Sequence, residues 1–234
     1  MKIIQNIKKN NYIKLVIVVT IFFMSSLFRL VPILLFNVEP DTPFKSSLIS
    51  LMGNTITCLI MIYIYRKTLI KDLKAFKDNF SNLIEKGIKY WLIGLVAMMI
   101  SNIMISFVLS GQLANNEENV RNLLNTTPII AFLMTAILAP ITEELVFRKA
   151  FLSVFKDKWA FVLISGIIFG SLHVVLSLDS IFQLLYLLPY CSLGIAFSYM
   201  YYETKNIMVP IIIHMVHNSL LSIFSIIQIG MILW

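Results

Sequence analysis

The chain has 234 residues, 59% hydrophobic and 13% charged, with a formal net charge of +7 and a mean hydropathy of +0.86. Soluble domains run nearer to roughly 45–50% apolar with a quarter charged, so a soluble globular fold is excluded and a polytopic membrane protein is expected. The basic surplus does not read as nucleic-acid binding: lysines and arginines fall in short loops between apolar runs, with no RNA- or DNA-binding motif around them, where topology and lipid headgroups account for them.

Apolar runs at about 13–36, 47–65, 91–110, 128–147, 159–178, 181–201 and 207–228 are each long enough to cross a bilayer as a helix. They predict an all-α fold, a polytopic transmembrane helix bundle of about seven spans. The apolar tail over 226–234 extends the last span or forms a short eighth segment. The basic start, Lys2 to Lys14, followed by an apolar run reads as an uncleaved first span, because no small-residue cleavage site follows. Without internal repeats or Gly/Ser linkers, 1–234 reads as a single integral membrane domain.

The loops orient the bundle. Lys2, Lys8, Lys9 and Lys14 precede the first span; Arg66 to Lys89 follow the second; Arg148, Lys149, Lys156 and Lys158 follow the fourth; Lys205 follows the sixth. Alternating spans put all of these on one side, and the opposite side receives Lys45 and Arg121 among Glu39, Asp41, Glu117, Glu118 and Asp179. The positive-inside rule then places the N-terminus in the cytoplasm, which fits an integral protein of a bacterial plasma membrane. Within 66–90, Leu69, Leu73, Phe76, Phe80 and Leu83 recur at helical spacing with lysines between them, predicting an amphipathic helix on the inner leaflet or an ordinary solvated one. Arg29, near the outer end of the first span, can snorkel to headgroups. Cys58 and Cys191 carry neither disulfide nor zinc spacing and read as small buried hydrophobes.

Against this background the acids of the fourth run stand out: Glu143-Glu144-Leu145-Val146-Phe147-Arg148. A charge at the bilayer centre costs roughly 2.5–3.5 kcal/mol on insertion scales and usually faces a bundle interior or wet cavity. Residues four apart share a helix face, so Glu144 can pair with Arg148, leaving Glu143 without a local partner on a face with Ala136 and Ala139. A desolvated carboxylate suits a general base; a structural Glu–Arg network is the alternative. In the fifth run Gly166 and Gly170 form a close-packing face, and His173 lies three residues beyond it, either a site residue or an interhelical hydrogen-bond donor. In the seventh, His214 and Asn218 can present an imidazole and a carboxamide to one point, with Pro210 one turn earlier freeing a backbone carbonyl. His217 could complete a two-histidine metal face or could equally be a satisfied bundle histidine. HExxH, Ser-His-Asp and phosphate-loop patterns are absent. The remaining set can activate a water and stabilise an oxyanion, with or without a metal.

Glu-Glu-x-x-x-Arg at 143–148, Phe-x-x-x-His at 169–173 and His-x-x-x-Asn at 214–218 resemble, in order and spacing, the three motifs of the CAAX protease and bacteriocin-processing (CPBP, or Abi) family, which includes the type II CAAX prenyl endopeptidases. The resemblance covers about 128–225. It implies an intramembrane endopeptidase open to the cytoplasmic side. Glu143 would activate water, His173 would help hold it, and His214 and Asn218 would stabilise the oxyanion, with Glu144 and Arg148 shaping the site. Such enzymes are described both as metalloproteases and as metal-independent glutamate enzymes; a bound Zn(2+) would take Glu143, His173 and His214 as ligands. The implied partners are a peptide or membrane-protein substrate and the lipid bilayer, with no nucleic acid, and the implied roles are peptide maturation or bacteriocin self-immunity. A non-catalytic membrane scaffold or immunity protein, using these residues structurally, is the competing reading; a transporter is weaker, because no halves repeat. Helix rise puts Glu143 and His214 towards the inner leaflet but His173 roughly 20 Å from the inner end of its span, so that helix must tilt or begin in the cytosol.

Overall fold

The computed structural model describes residues 2–232, with side chains over 10–228. Every regular element among them is helical. In chain order these are α1 (Lys2–Phe23), a 3-10 stretch, α2 (Leu30–Phe36), α3 (Pro43–Asp78), α4 (Phe80–Val108), α5 (Asn115–Thr126), then α6 (Pro128–Phe132), α7 (Ala139–Glu143) and α8 (Phe151–Val154). α9 (Lys158–Val175), α10 (Leu187–Thr204) and α11 (Met208–Ile232) complete the chain. Among the described residues seven helical stretches are long and apolar enough to cross a membrane: Asn10–Phe36, Pro43–Asp78, Phe80–Val108, Pro128–Val154, Lys158–Val175, Ile181–Thr204 and Met208–Gln228. The tail is therefore no separate eighth segment as far as Ile232, because α11 runs on without a break; Leu233 and Trp234 lie outside the described residues.

The lysine-rich stretch over 66–90 is helical but is not an element of its own. α3 continues through it to Asp78, only Asn79 leaves helical geometry (φ −134°), and α4 starts at Phe80. Its apolar residues also do not all face lipid or solvent. Phe76 and Leu83 are buried with Leu193, Phe197, Val209 and Ile213 in one core cluster, while Leu73 and Phe80 stay exposed. Helical periodicity is the same whether a stripe faces a membrane or a neighbouring helix, so the pattern could not tell the two apart.

The chain divides into two compact units. One comprises the described residues of Met1–Ile70, Val120–Val146 and His214–Trp234, the other Lys71–Asn119 and Phe147–Ile213. In the first, Val18 and Met61 are fully buried, the Lys14 ammonium lies 4.2 Å over the Tyr65 ring, and Thr127 donates to the Ser47 hydroxyl at 3.0 Å. Arg29, read from sequence as able to snorkel, is exposed in the 3-10 stretch, with its backbone close to Gly53.

In the second unit α10 packs against both α4 and α9. The predicted Gly166–Gly170 face is the α9 side of this packing: a Cβ on Gly166 would stand 2.6 Å from the Ile195 nitrogen, and one on Gly170 2.6 Å from the Cys191 nitrogen. Only a residue without a side chain allows backbones so close. The buried Asp72 carboxylate accepts the Ile207 N–H at 3.1 Å, and Asn206 donates to the Asp72 carbonyl at 2.8 Å, which ties the start of α11 to α3. Asn206 Oδ1 caps that start by accepting the Met208 N–H at 3.0 Å. Of the two cysteines read as buried hydrophobes, Cys58 is buried, whereas Cys191, where α10 meets α9, is only half-buried.

Candidate active site

The span carrying the paired acids is not a plain α-helix. π-helical turns occupy Leu133–Leu138 and Glu144–Ala150, on either side of α7. Such wide turns are rare and occur mostly as local bulges, often at functional sites. The first has a visible cause. The Ala139 N–H reaches back five residues to the Met134 carbonyl, and Pro140, next in line, has no N–H to give. The Thr135 carbonyl is thereby passed over by both helical donors. Asn218 supplies the missing donor, its Nδ2 bonding to that oxygen at 2.9 Å. The amide read from sequence as an oxyanion donor thus has one hydrogen committed to the backbone; the other is not used by this bond.

The two acids converge on one imidazole. His214 Nδ1 donates to Glu144 Oε1 at 2.9 Å, and His214 Nε2 lies 3.9 Å from Glu143 Oε2. A carboxylate only accepts, so Nδ1 carries a proton and Nε2 is turned towards Glu143, an arrangement that fixes the ring direction. The 3.9 Å separation is too long for a hydrogen bond and short enough for one oxygen atom to touch both groups. Burial separates the acids further. Glu144 is 0% exposed, whereas 16% of the Glu143 side chain is accessible. Glu144 thus serves His214, and Glu143 is the more accessible of the two carboxylates. His217 is buried one turn further along α11.

Glu143, Glu144, His214 and Asn218 all belong to the first unit; Arg148 and His173 belong to the second. Arg148 is fully buried, with its guanidinium 4.4 Å from the centre of the Phe169 ring. Its neighbour Phe147 has its carbonyl, within the second π stretch, bonded by Ser165 at 2.6 Å, and Ser165 in turn accepts from Ser198 at 3.0 Å. His173 lies in the last turn of α9, where its Nδ1 donates to the Phe169 carbonyl at 2.9 Å and its ring stacks on Tyr190. Tyr190, Ser165 and the Thr135–Pro140 pair went unread in the sequence. Only the proline, inside an apolar run, carried a signal there.

Of the residues named for a bound Zn(2+), Glu143 and His214 stand together in the first unit, two donors where catalytic zinc takes three protein ligands, and His173 belongs to the second. Among the described residues no group of three or more His, Cys, Asp or Glu is placed to hold a metal ion.

Residues 125–220 match the family described as type II CAAX prenyl endopeptidase Rce1-like. The chain is 28% identical over 176 residues to YdiL of Bacillus subtilis, covering 73% of this chain and 68% of that protein. It is 30% identical over 162 residues to the membrane-embedded CAAX protease MroQ of Staphylococcus aureus, covering 62% of this chain and 61% of that one. No solved structure matches significantly.

Proposed function

From the Rce1-like domain over residues 125–220, we propose that this chain is an intramembrane endopeptidase that hydrolyses a peptide bond of a peptide or membrane-associated substrate. The observation that carries the reading is the accessible Glu143 carboxylate facing an imidazole whose other nitrogen is tied to the buried Glu144. Glu143 takes a proton from water as the water oxygen attacks the scissile carbonyl carbon. His214, in its imidazolium form, donates from Nε2 to the resulting oxyanion. Glu143 then returns the proton to the leaving amine as the C–N bond breaks, giving a carboxyl and an amine terminus. The family motifs assign His173 to hold the water and Asn218 to assist at the oxyanion, and no step requires a metal.

With its span ending at Val154, Glu143 lies about 16 Å from that end and about 22 Å from Pro128. This is nearer the middle than the inner third expected from a span ending at 147. The proposed cleavage is therefore inside the bilayer, entered from the cytoplasmic side as the resemblance implies, in a bacterial plasma membrane with the N-terminus in the cytoplasm. Peptide maturation or bacteriocin self-immunity is the biological role this chemistry would serve.

The test is cleavage of candidate peptides by purified wild type and Glu143→Gln, each with and without chelator. Glu143→Gln is expected to insert and fold normally but lose cleavage, and wild-type turnover to survive chelation. Retained function in Glu143→Gln would favour the scaffold reading, and zinc-restorable loss on chelation would overturn the metal-free mechanism.

A further inference from the structure

The His173 ring is gripped from two sides. Its Nδ1 donates to the Phe169 carbonyl at 2.9 Å, its centroid is 4.6 Å from that of Phe169, and it lies 5.1 Å from the Tyr190 ring with the planes 21° apart. Tyr190 arrives there because of a glycine. Gly170, one turn before His173, lets the Cys191 backbone come within what would be Cβ contact, and Tyr190 is the residue before Cys191.

Tyr190 is itself held. Asn116, in the first turn of α5, donates from Nδ2 to the Tyr190 hydroxyl oxygen at 3.3 Å. The short strap leading into α5 is pinned to the connection between α9 and α10. Asn115 gives its N–H to Gln183 Oε1 at 3.3 Å and its Nδ2 to the Ser177 carbonyl at 2.8 Å. Gln183 donates to the Leu113 carbonyl at 3.3 Å, and the Tyr186 hydroxyl donates to the Gln112 carbonyl. These bonds converge on the turn that follows His173.

We propose that Tyr190 is a positioning residue for His173 and that Asn116, through the strap, holds Tyr190 in that role. The proposal rests on the peptidase reading, in which His173 holds the attacking water. The bond to the Phe169 carbonyl puts the proton on Nδ1 and leaves Nε2 as the acceptor. The Nε2 lone pair lies in the ring plane, so the stacked tyrosine aims it by fixing that plane.

The chain has three histidines, so ring-nitrogen NMR of [15N]histidine-labelled protein in lipid nanodiscs can follow each one, with His173→Gln giving the assignment. Wild type is expected to show one His173 tautomer, protonated at Nδ1. Tyr190→Leu should average that signal and lower kcat on a peptide that wild type cleaves by roughly 10- to 100-fold, with KM within about twofold. Tyr190→Phe keeps the ring but loses the hydroxyl that Asn116 holds, so it should match Asn116→Ala: a small shift of the His173 signal towards that of Tyr190→Leu, with kcat within about threefold of wild type. Asn116→Ala, changed outside the helix core, should shift the His173 signal in the direction of Tyr190→Leu. A purely structural role would lower thermal stability without separating kcat from KM. Unchanged His173 signal and kcat in Tyr190→Leu overturn the proposal, and an unchanged signal in Asn116→Ala overturns the part assigned to the strap. If Glu143→Gln does not reduce cleavage, the peptidase reading falls, while the spectra still decide whether Tyr190 fixes the His173 ring.

Discussion

At the scale of single residues, the paired acids divide their work through a partner far away in sequence. Glu144 and His214 are 70 positions apart and bond at 2.9 Å. Removing the acceptor leaves a buried N–H without a partner, which costs about 1–3 kcal/mol. Glu144→Ala is therefore expected to lower thermal stability in detergent by that amount and also to lose cleavage, because Nε2 is no longer aimed at Glu143. Glu143→Gln should lose cleavage alone. The need for partners at 143–148 was legible in the sequence, since carboxylates are costly in an apolar run. That His214 would be a partner of Glu144 was not: helical spacing reports neighbours one turn away and carries nothing about a residue four helices later.

At the scale of elements, the span count and the glycine face followed from apolar run length and small-residue spacing, both direct consequences of bilayer thickness and backbone approach. The π turns did not, because they depend on which carbonyls find donors from another helix. Pro140 and Asn218 meet at the Thr135 carbonyl, and that sets up a thermodynamic cycle. Asn218→Ala should destabilise by about 1–3 kcal/mol by stranding the carbonyl. Pro140→Ala restores a backbone N–H, so the double variant should recover part of the loss, with a coupling of about 0.5–3 kcal/mol in thermal unfolding. For the glycine face, Gly170→Ala puts a methyl where the Cys191 backbone now sits. It is expected to cost about 1–3 kcal/mol by overpacking and to disturb the His173 ring signal.

For the whole molecule, the charge bias of the loops is the feature that commits to an orientation. In a cysteine-free background, Lys74→Cys should react with a membrane-impermeant maleimide only in inside-out vesicles, and Glu118→Cys only in intact cells; both native side chains are exposed. The opposite labelling pattern would invert the proposed topology. Asp72 adds a constraint of another kind, one of time. The groups that satisfy it, Asn206 and the Ile207 N–H, lie 134 and 135 positions downstream. At typical synthesis rates, roughly 7–27 s separate the making of this acid from the making of its donors. Throughout that interval the nascent chain holds a carboxylate destined for burial that has nothing to bind, and the arrival of its final helix ends the wait.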